Sequence, residues 1–205
     1  MIVIIDYNAG NLQSVAKMLS YLGYTSRIAE KPGDLTGAKR IILPGVGKFD
    51  FGMTNLRERG FVEALNEQVA VRKVPLLGIC LGAQLLTRRS DEGVLPGLGW
   101  IAADTVAFDR SRLGPSDRVP HMGWTDTEFR RDSRLAAGID ESPRYYYVHS
   151  YHLRCDHPED ELCHATHGYR FVSGVERGNI LGVQFHPEKS HRFGMQILRN
   201  FVENY

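Results

Sequence analysis

Three side chains in this sequence have the types and spacing of a hydrolytic site built on a thiol. Cys80 lies in Pro75-Leu76-Leu77-Gly78-Ile79-Cys80-Leu81-Gly82-Ala83-Gln84-Leu85-Leu86, an apolar run followed by Gly-x-Cys-x-Gly and then a helical pattern. That is the cysteine form of a nucleophile elbow, in which a buried strand turns sharply and holds one side chain over the start of a helix. Glycines on either side of Cys80 allow the turn and leave room for the helix to pack closely. The unpaired N–H groups at a helix start favour a thiolate over a thiol. A thiolate that attacks a carbonyl also needs a histidine to hold it and later to protonate the leaving group. Of the eight histidines, position selects His186, which follows the apolar run Ile180–Phe185 and precedes Pro187-Glu188. Proline keeps the residue before it extended, and residues two apart in extended chain point the same way. Glu188 can therefore orient the imidazole and stabilise its charged form. Cys80, His186 and Glu188 form a predicted Cys-His-Glu triad at one sheet edge.

The elements that must position this triad can be read from hydrophobic periodicity. Ile2–Ile5 and Arg40–Leu43 are apolar runs expected of strands covered on both faces. Leu12, Val15, Leu19 and Leu22 recur at helical spacing, and a second helical pattern runs from Phe51 to Arg72 with an interruption near Gly60. Leu76–Ile79 is a strand, and the elbow leads into a helix expected over 81–89. This β-α-β-α-β alternation predicts a parallel sheet with helices on both faces. Beyond residue 100 the pattern changes to short strand candidates at 100–108, 119–124, 144–151, 161–167, 170–176 and 180–185, with a hairpin at Arg177-Gly178-Asn179. Phe193, Ile197, Leu198 and Phe201 mark one side of a final amphipathic helix. Segment 109–118 is the expected mobile loop.

Bulk properties fit one domain of 205 residues with balanced charge, 25 basic and 24 acidic side chains, and no basic run longer than a pair. Nucleic acid is not favoured as a partner by this balance. The apolar stretch at the N-terminus is too short for a signal or a spanning segment. Three cysteines in a chain this long do not make a disulfide framework, and a reduced, cytoplasmic setting suits a working thiol.

Gly78-Ile79-Cys80-Leu81-Gly82 together with Gly182-Val183-Gln184-Phe185-His186-Pro187-Glu188 resembles the class I (triad) glutamine amidotransferases. Their glutaminase domain releases ammonia from glutamine through a γ-glutamyl thioester. Ile42-Leu43-Pro44-Gly45-Val46-Gly47-Lys48-Phe49, with Asn55-Leu56 downstream, is similar to the branch that supplies glutaminase subunits to imidazole glycerol phosphate synthase, in histidine biosynthesis. So are Asp6-Tyr7, Gly10-Asn11-Leu12, Pro120-His121-Met122-Gly123-Trp124 and Tyr147-Val148-His149-Ser150-Tyr151. The resemblance runs from residue 2 to about 203. It implies a flavodoxin-like α/β fold over residues 1–205, with a central, mostly parallel sheet flanked by helices and an antiparallel extension. It also implies an oxyanion hole from the backbone at Val46-Gly47 and the Leu81 N–H. Gln84 and Glu92 would hold the α-amino end of glutamine, and His149, Ser150 and Tyr151 its α-carboxylate. No cofactor is implied.

The glutaminase pattern uses the whole sequence, so the ammonia-consuming site is expected on a separate chain, by resemblance a (β/α)8-barrel cyclase forming a heterodimer. Trp124, Tyr146, Lys189 and His121 are candidates for the docking face. The Val46-Gly47 peptide is expected to rest turned the wrong way until the partner binds its substrate, with Gly45 and Gly47 making the rotation cheap. Two positions depart from the branch pattern: Thr125 stands where Asn is usual, and Ala83 where Met is usual. An alternative acceptor is a sugar amidotransferase of surface polysaccharide synthesis; a non-catalytic domain of the same fold is a further alternative.

Several histidines and cysteines invite plainer readings. Cys155 and Cys163 lie among His157, His164 and His167, but the spacing lacks a Cys-x2-Cys pair, and Cys163 and His164 point to opposite faces of a strand. No metal site is expected. His152 and His191 are expected in solvent, and Tyr145-Tyr146-Tyr147 reads as a strand with alternating burial. No dinucleotide or phosphate-binding loop is present.

Overall fold

The apolar runs become the centre of the sheet. In the computed structural model, which describes residues 1–130, 132–139 and 143–205, the first half of the chain forms β1 (Ile2–Ile5), α1 (Leu12–Tyr21), β2 (Ser26–Ala29), β3 (Arg40–Gly45), α2 (Phe49–Glu58), α3 (Phe61–Leu65), β4 (Leu76–Cys80) and α4 (Leu81–Leu85). The second half adds β5 (Ala103–Ala107), β6 (His121–Phe129), β7 (Arg144–His149), β8 (Tyr151–Cys155), β9 (Glu161–His167), β10 (Tyr169–Arg177), β11 (Ile180–Val183) and α5 (His191–Asn204).

The strands run in the order β2-β1-β3-β4-β11-β10-β9-β6-β7, with β8 against β10 and β5 against β8. β2, β1, β3, β4 and β11 are parallel. This is the flavodoxin-like order 2-1-3-4-5, with the last strand of the chain in fifth place. Every pairing beyond β11 is antiparallel. The period of two sorts the central strands onto two core layers. Val3, Ile5, Ile41 and Leu43 meet α2, α3 and α4 through Phe49, Leu56, Phe61 and Leu85. Ile2, Ile4 and Ile42 meet α1 and α5 through Val15, Leu19, Ile197 and Phe201. The parallel strands are thus apolar on both faces because helices cover both.

Several expectations shift by a physical cause. β2 carries only partial burial along Ser26-Arg27-Ile28 at the sheet edge, so it has no apolar run to announce it. The helix after the elbow ends at Leu85 rather than Arg89. The carbonyls of Leu85, Leu86, Thr87 and Arg88 instead accept N–H groups from Leu98, Trp100, Gly99 and Gly97. The expected strand 144–151 breaks at Ser150 into β7 and β8. The hairpin falls at Gly178-Asn179, where Gly178 takes φ +62°. Within 109–118, Asp109 accepts the Ser111 N–H and Asp117 the Gly114 N–H. Among the described residues no helix is long and apolar enough to cross a membrane.

Candidate active site

The elbow forms where β4 meets α4. Cys80 takes φ +55°, ψ −110°, a conformation that non-glycine residues rarely adopt and that is held only when its surroundings over-determine it. Those surroundings are the packing of glycines. A Cβ on Gly82 would lie 1.8 Å from the Leu43 carbonyl oxygen, and one on Gly78 would lie 2.7 Å from that of Gly82. The flanking glycines therefore serve close approach more than rotation. Helix α4 has only five residues, so the field expected from it is short and side chains must do more of the work of holding a thiolate.

Those side chains come from β11. Its register places Val183 beside Ile79, so the chain beyond β11 emerges next to the elbow. His186 is extended, its N–H donating to the Tyr146 carbonyl at 2.9 Å. Pro187–Lys189 then forms a 3-10 turn rather than the extended dipeptide expected. The reach survives the change of path: His186 Nδ1–H donates to Glu188 Oε1 at 2.8 Å, with both side chains about 2% exposed. Ser190, which the motif did not single out, locks this corner, donating to the His186 carbonyl at 2.6 Å and accepting the Tyr146 N–H at 3.0 Å. His186 Nε2 is left buried without a hydrogen bond inside the protein, on the ring edge free to serve the thiol. Burial opposes the imidazolium, but the attraction of the Cys80 sulfur and of the Glu188 carboxylate outweighs it, and the pKa rises to about 9.

Cys80 and His186 face a cavity of about 270 Å³ that also carries every predicted substrate residue: Val46, Gly47, Leu81, Gln84, Glu92, His149, Ser150 and Tyr151. Its size is at the small end for ligand pockets. Glu188 stands behind the imidazole. Gly47 sits at φ +112°, a conformation that favours glycine, with open space where a Cβ would be. Gly45 is different: a Cβ there would strike the Tyr7 hydroxyl at 2.3 Å and the Gly82 nitrogen at 2.9 Å. It is glycine for close packing. Glu92 Oε2 accepts the Phe49 N–H at 2.8 Å, which ties the predicted amine counter-charge to the start of α2, just past the oxyanion loop.

His149 lines the cavity with both ring nitrogens already engaged. Its Nδ1 lies 2.7 Å from the Tyr151 carbonyl, which can only accept, so Nδ1 carries the proton and Nε2 accepts. His121 Nδ1–H then donates to it at 2.9 Å, and His121 Nε2 accepts the Thr125 hydroxyl at 2.8 Å. Burial lowers the pKa of both rings, that of His121 to about 4. His121, expected at the docking face, is instead interior at 5% exposure. His152, expected in solvent, is also buried, between the Leu153 carbonyl and the Tyr169 hydroxyl.

The remaining docking candidates share one outer face. Trp124, 39% exposed, stacks on His191 with centroids 5.3 Å apart and meets the Tyr146 ring edge-on at 6.3 Å. The Lys189 ammonium lies 5.7 Å above Tyr146. Met122, on the same strand as Trp124, is 62% exposed. Elsewhere, Cys163 contacts Ser173 and His164 pairs with Glu161. No group of three or more metal-ligating side chains occurs among the described residues.

The family model for glutamine amidotransferase class-I matches residues 3–205. Over 203 residues the chain is 46% identical to imidazole glycerol phosphate synthase subunit HisH 2 of Pseudomonas aeruginosa, with 99% of both chains covered. It is 46% identical over 203 residues to the subunit of the same name from Methanococcus maripaludis, again covering 99% of each. It is 44% identical over 203 residues to subunit HisH of Bdellovibrio bacteriovorus, covering 99% of this chain and 100% of the other. A solved glutamine amidotransferase shares the fold with TM-score 0.76 at 21% identity, covering 99% and 98% of the two chains. PurLQS from Thermotoga maritima does so with TM-score 0.72 at 17% identity, covering 99% and 97%.

Proposed function

This chain belongs to the class-I glutamine amidotransferases, and from that membership we propose that it is the glutaminase subunit of imidazole glycerol phosphate synthase, acting in histidine biosynthesis. The observation that carries the reading is one cavity joining the Cys80 thiol to an imidazole held by a buried carboxylate, in a chain similar along 99% of its length to subunits of that synthase. In the reaction, the Cys80 thiolate attacks the side-chain amide carbon of glutamine and forms a C–S bond. The Leu81 N–H and the Val46-Gly47 backbone receive the oxyanion, each donor contributing about 3 kcal/mol to the transition state. The C–N bond breaks as His186 gives its proton to the departing ammonia. Water, giving a proton back to His186, then attacks the thioester and releases glutamate. Glu188 keeps the ring oriented throughout. Gln84 and Glu92 take the α-amino group, and Ser150 and Tyr151, with the backbone of His149, take the α-carboxylate.

The ammonia goes to a cyclase subunit of (β/α)8-barrel fold that docks over Trp124, Tyr146 and Lys189 to form a heterodimer. The open space at Gly47 supports an oxyanion loop that is set by the partner. Co-expression with its cognate cyclase should restore histidine prototrophy to a strain lacking both subunits, and the cyclase's substrate should accelerate glutamine hydrolysis by the purified pair. Failure to rescue, or full-speed hydrolysis by the isolated chain, would count against the pathway or the gating respectively. A second reading is favoured by the numbered copies among the relatives, HisH 1 and HisH 2, and by Thr125 beside the docking tryptophan: delivery of ammonia to a sugar amidotransferase. Glutaminase activity with that partner and none with a cyclase would select it.

A further inference from the structure

We propose that Gln184 is a catalytic residue whose side-chain amide donates a hydrogen bond to the Cys80 sulfur, with Gln84 fixing the direction in which that amide points. The inference rests on the glutaminase reading for its place in the reaction, and on geometry for the contact itself.

Gln184 is the one polar side chain in the run Ile180–Phe185 and is 0% exposed. A buried amide must find partners at both ends. Its Nε2 lies 3.7 Å from Cys80 Sγ, a hydrogen-bond distance for an atom as large as sulfur. Its Oε1 lies 3.0 Å from Gln84 Nε2. Amide oxygen and nitrogen are distinguished by their partners, and here the partners decide. Gln84 Nε2 also points at the Tyr151 carbonyl, 3.4 Å away, so that end of Gln84 must be the donor. It therefore presents N–H to Gln184, whose oxygen must face it. Only the Gln184 NH2 is left for the sulfur.

The thiol's other hydrogen bond is to the Val148 carbonyl, 3.9 Å from Sγ. That carbonyl can only accept, so it favours the protonated form, whereas the Gln184 N–H favours the thiolate. The ionisable groups around this point are Tyr7 beyond β1, Glu92, His149 at the end of β7, and His186 and Glu188 beyond β11. Tyr7 stays neutral because burial and the Cys80 charge both raise its pKa, and His149 stays neutral through burial. His186 then supplies the cation and Gln184 the neutral donor. Both N–H positions of Gln84 are used, so its Oε1 remains for the substrate's ammonium group. Substrate ammonium, Gln84, Gln184 and Cys80 make one line of donors and acceptors, and binding of the amine polarises the line toward the thiolate.

Alkylation of Cys80 by iodoacetamide tests this in the full chain, with the modified peptide identified by mass spectrometry and the rate followed from pH 5 to 10. Gln184→Met keeps the volume and removes the donor. It should move the alkylation midpoint up by about one pH unit, a tenfold loss of rate on the acid side, with the folded near-UV spectrum retained. Gln84→Glu leaves Gln184 in place but turns its amide, because a carboxylate would accept from the NH2 and leave the oxygen facing the sulfur. It should shift the midpoint in the same direction, whereas Gln84→Met should shift it less. Midpoints that stay within 0.2 units of the parent in Gln84→Glu, or in a folded Gln184→Met, would overturn the proposal. Alkylation needs no glutamine, so shifted midpoints in a chain that hydrolyses no glutamine even when assembled with either candidate partner and that partner's substrate would sink the glutaminase reading and leave the contact standing.

Discussion

Two buried histidine settings meet the cavity through His186 and His149, and their pKa values are shifted in opposite directions. At the end of β11, His186 has one nitrogen on a buried carboxylate and the other left open toward the thiol, and its pKa is raised to about 9. Across the cavity, His121, His149 and His152 have both nitrogens on neutral partners, and burial lowers all three. Burial is common to both, so burial alone strips the proton. The Cys80 sulfur on one side of the ring and the Glu188 carboxylate on the other keep the proton on. The β6–β8 side is a fixed wall instead: backbone carbonyls set the tautomers of His149 and His152, His149 sets that of His121, and Phe108 packs at 5.3 Å from His149 and 4.9 Å from His152.

The strongest way to break this contrast is to make His186 resemble its opposite number. Glu188→Gln keeps the shape and removes the charge. The glutaminase kcat/KM of the assembled enzyme should fall by about 10³-fold or more, as when the orienting carboxylate of a triad is lost. In NMR titrations the His186 ring should lose its proton well below pH 9. Activity within tenfold of the parent would show that the sulfur and the donors around it suffice without a fixed imidazolium.

A smaller effect separates the two settings by sign in folding stability. The lowered histidines bind fewer protons folded than unfolded below pH about 6.5. Their contribution is therefore full above 6.5 and is lost as pH falls, for His121 until about pH 4. His186 keeps its proton when folded, so its contribution is full below about 6.5 and is lost as pH rises through about 9. Each imidazole adds at most about 1.4 kcal/mol per pH unit to the slope. Urea midpoints should fall on both sides of neutrality. His152→Leu should flatten the limb below pH 6.5, and Glu188→Gln the limb between pH 7 and 9. An acid limb unchanged in His152→Leu would mean that this ring is protonated in the folded protein.

The same contrast governs what could be read in advance. The triad half was legible because its information is local: an apolar run, a glycine-flanked cysteine, and a second apolar run ending in His186-Pro187-Glu188. Parallel packing then needs only the ends of two neighbouring strands to meet. The histidine wall was not legible. His121, His149 and His152 are brought together by antiparallel pairings among distant segments, and nothing near His152 in sequence signals that Phe108 and Tyr169 will enclose it. Edge strand β2 has no apolar run to mark it, and α4 is shorter than its sequence pattern because residues 97–101 take the carbonyls that would continue it. Gln184 left a trace, a lone polar side chain in a buried strand, whose meaning depends on Gln84 from another element.

The subtlest test lies at the outer end of the wall. His121 Nε2 must accept, since its Nδ1–H is committed to His149, and the donor it meets is the Thr125 hydroxyl. Thr125→Val keeps the shape and removes that donor, leaving a partly buried acceptor unmatched at a cost of about 1 kcal/mol. Thr125→Asn, the residue usual in the related branch, still offers an N–H and should lie within about 0.5 kcal/mol of the parent. Neither reaches the cavity, so KM for glutamine should stay within twofold in both, as judged in the assembled enzyme. If Val and Asn were equally stable, water would be serving His121 in place of Thr125, and the wall would be fixed from the cavity side by the Tyr151 carbonyl alone.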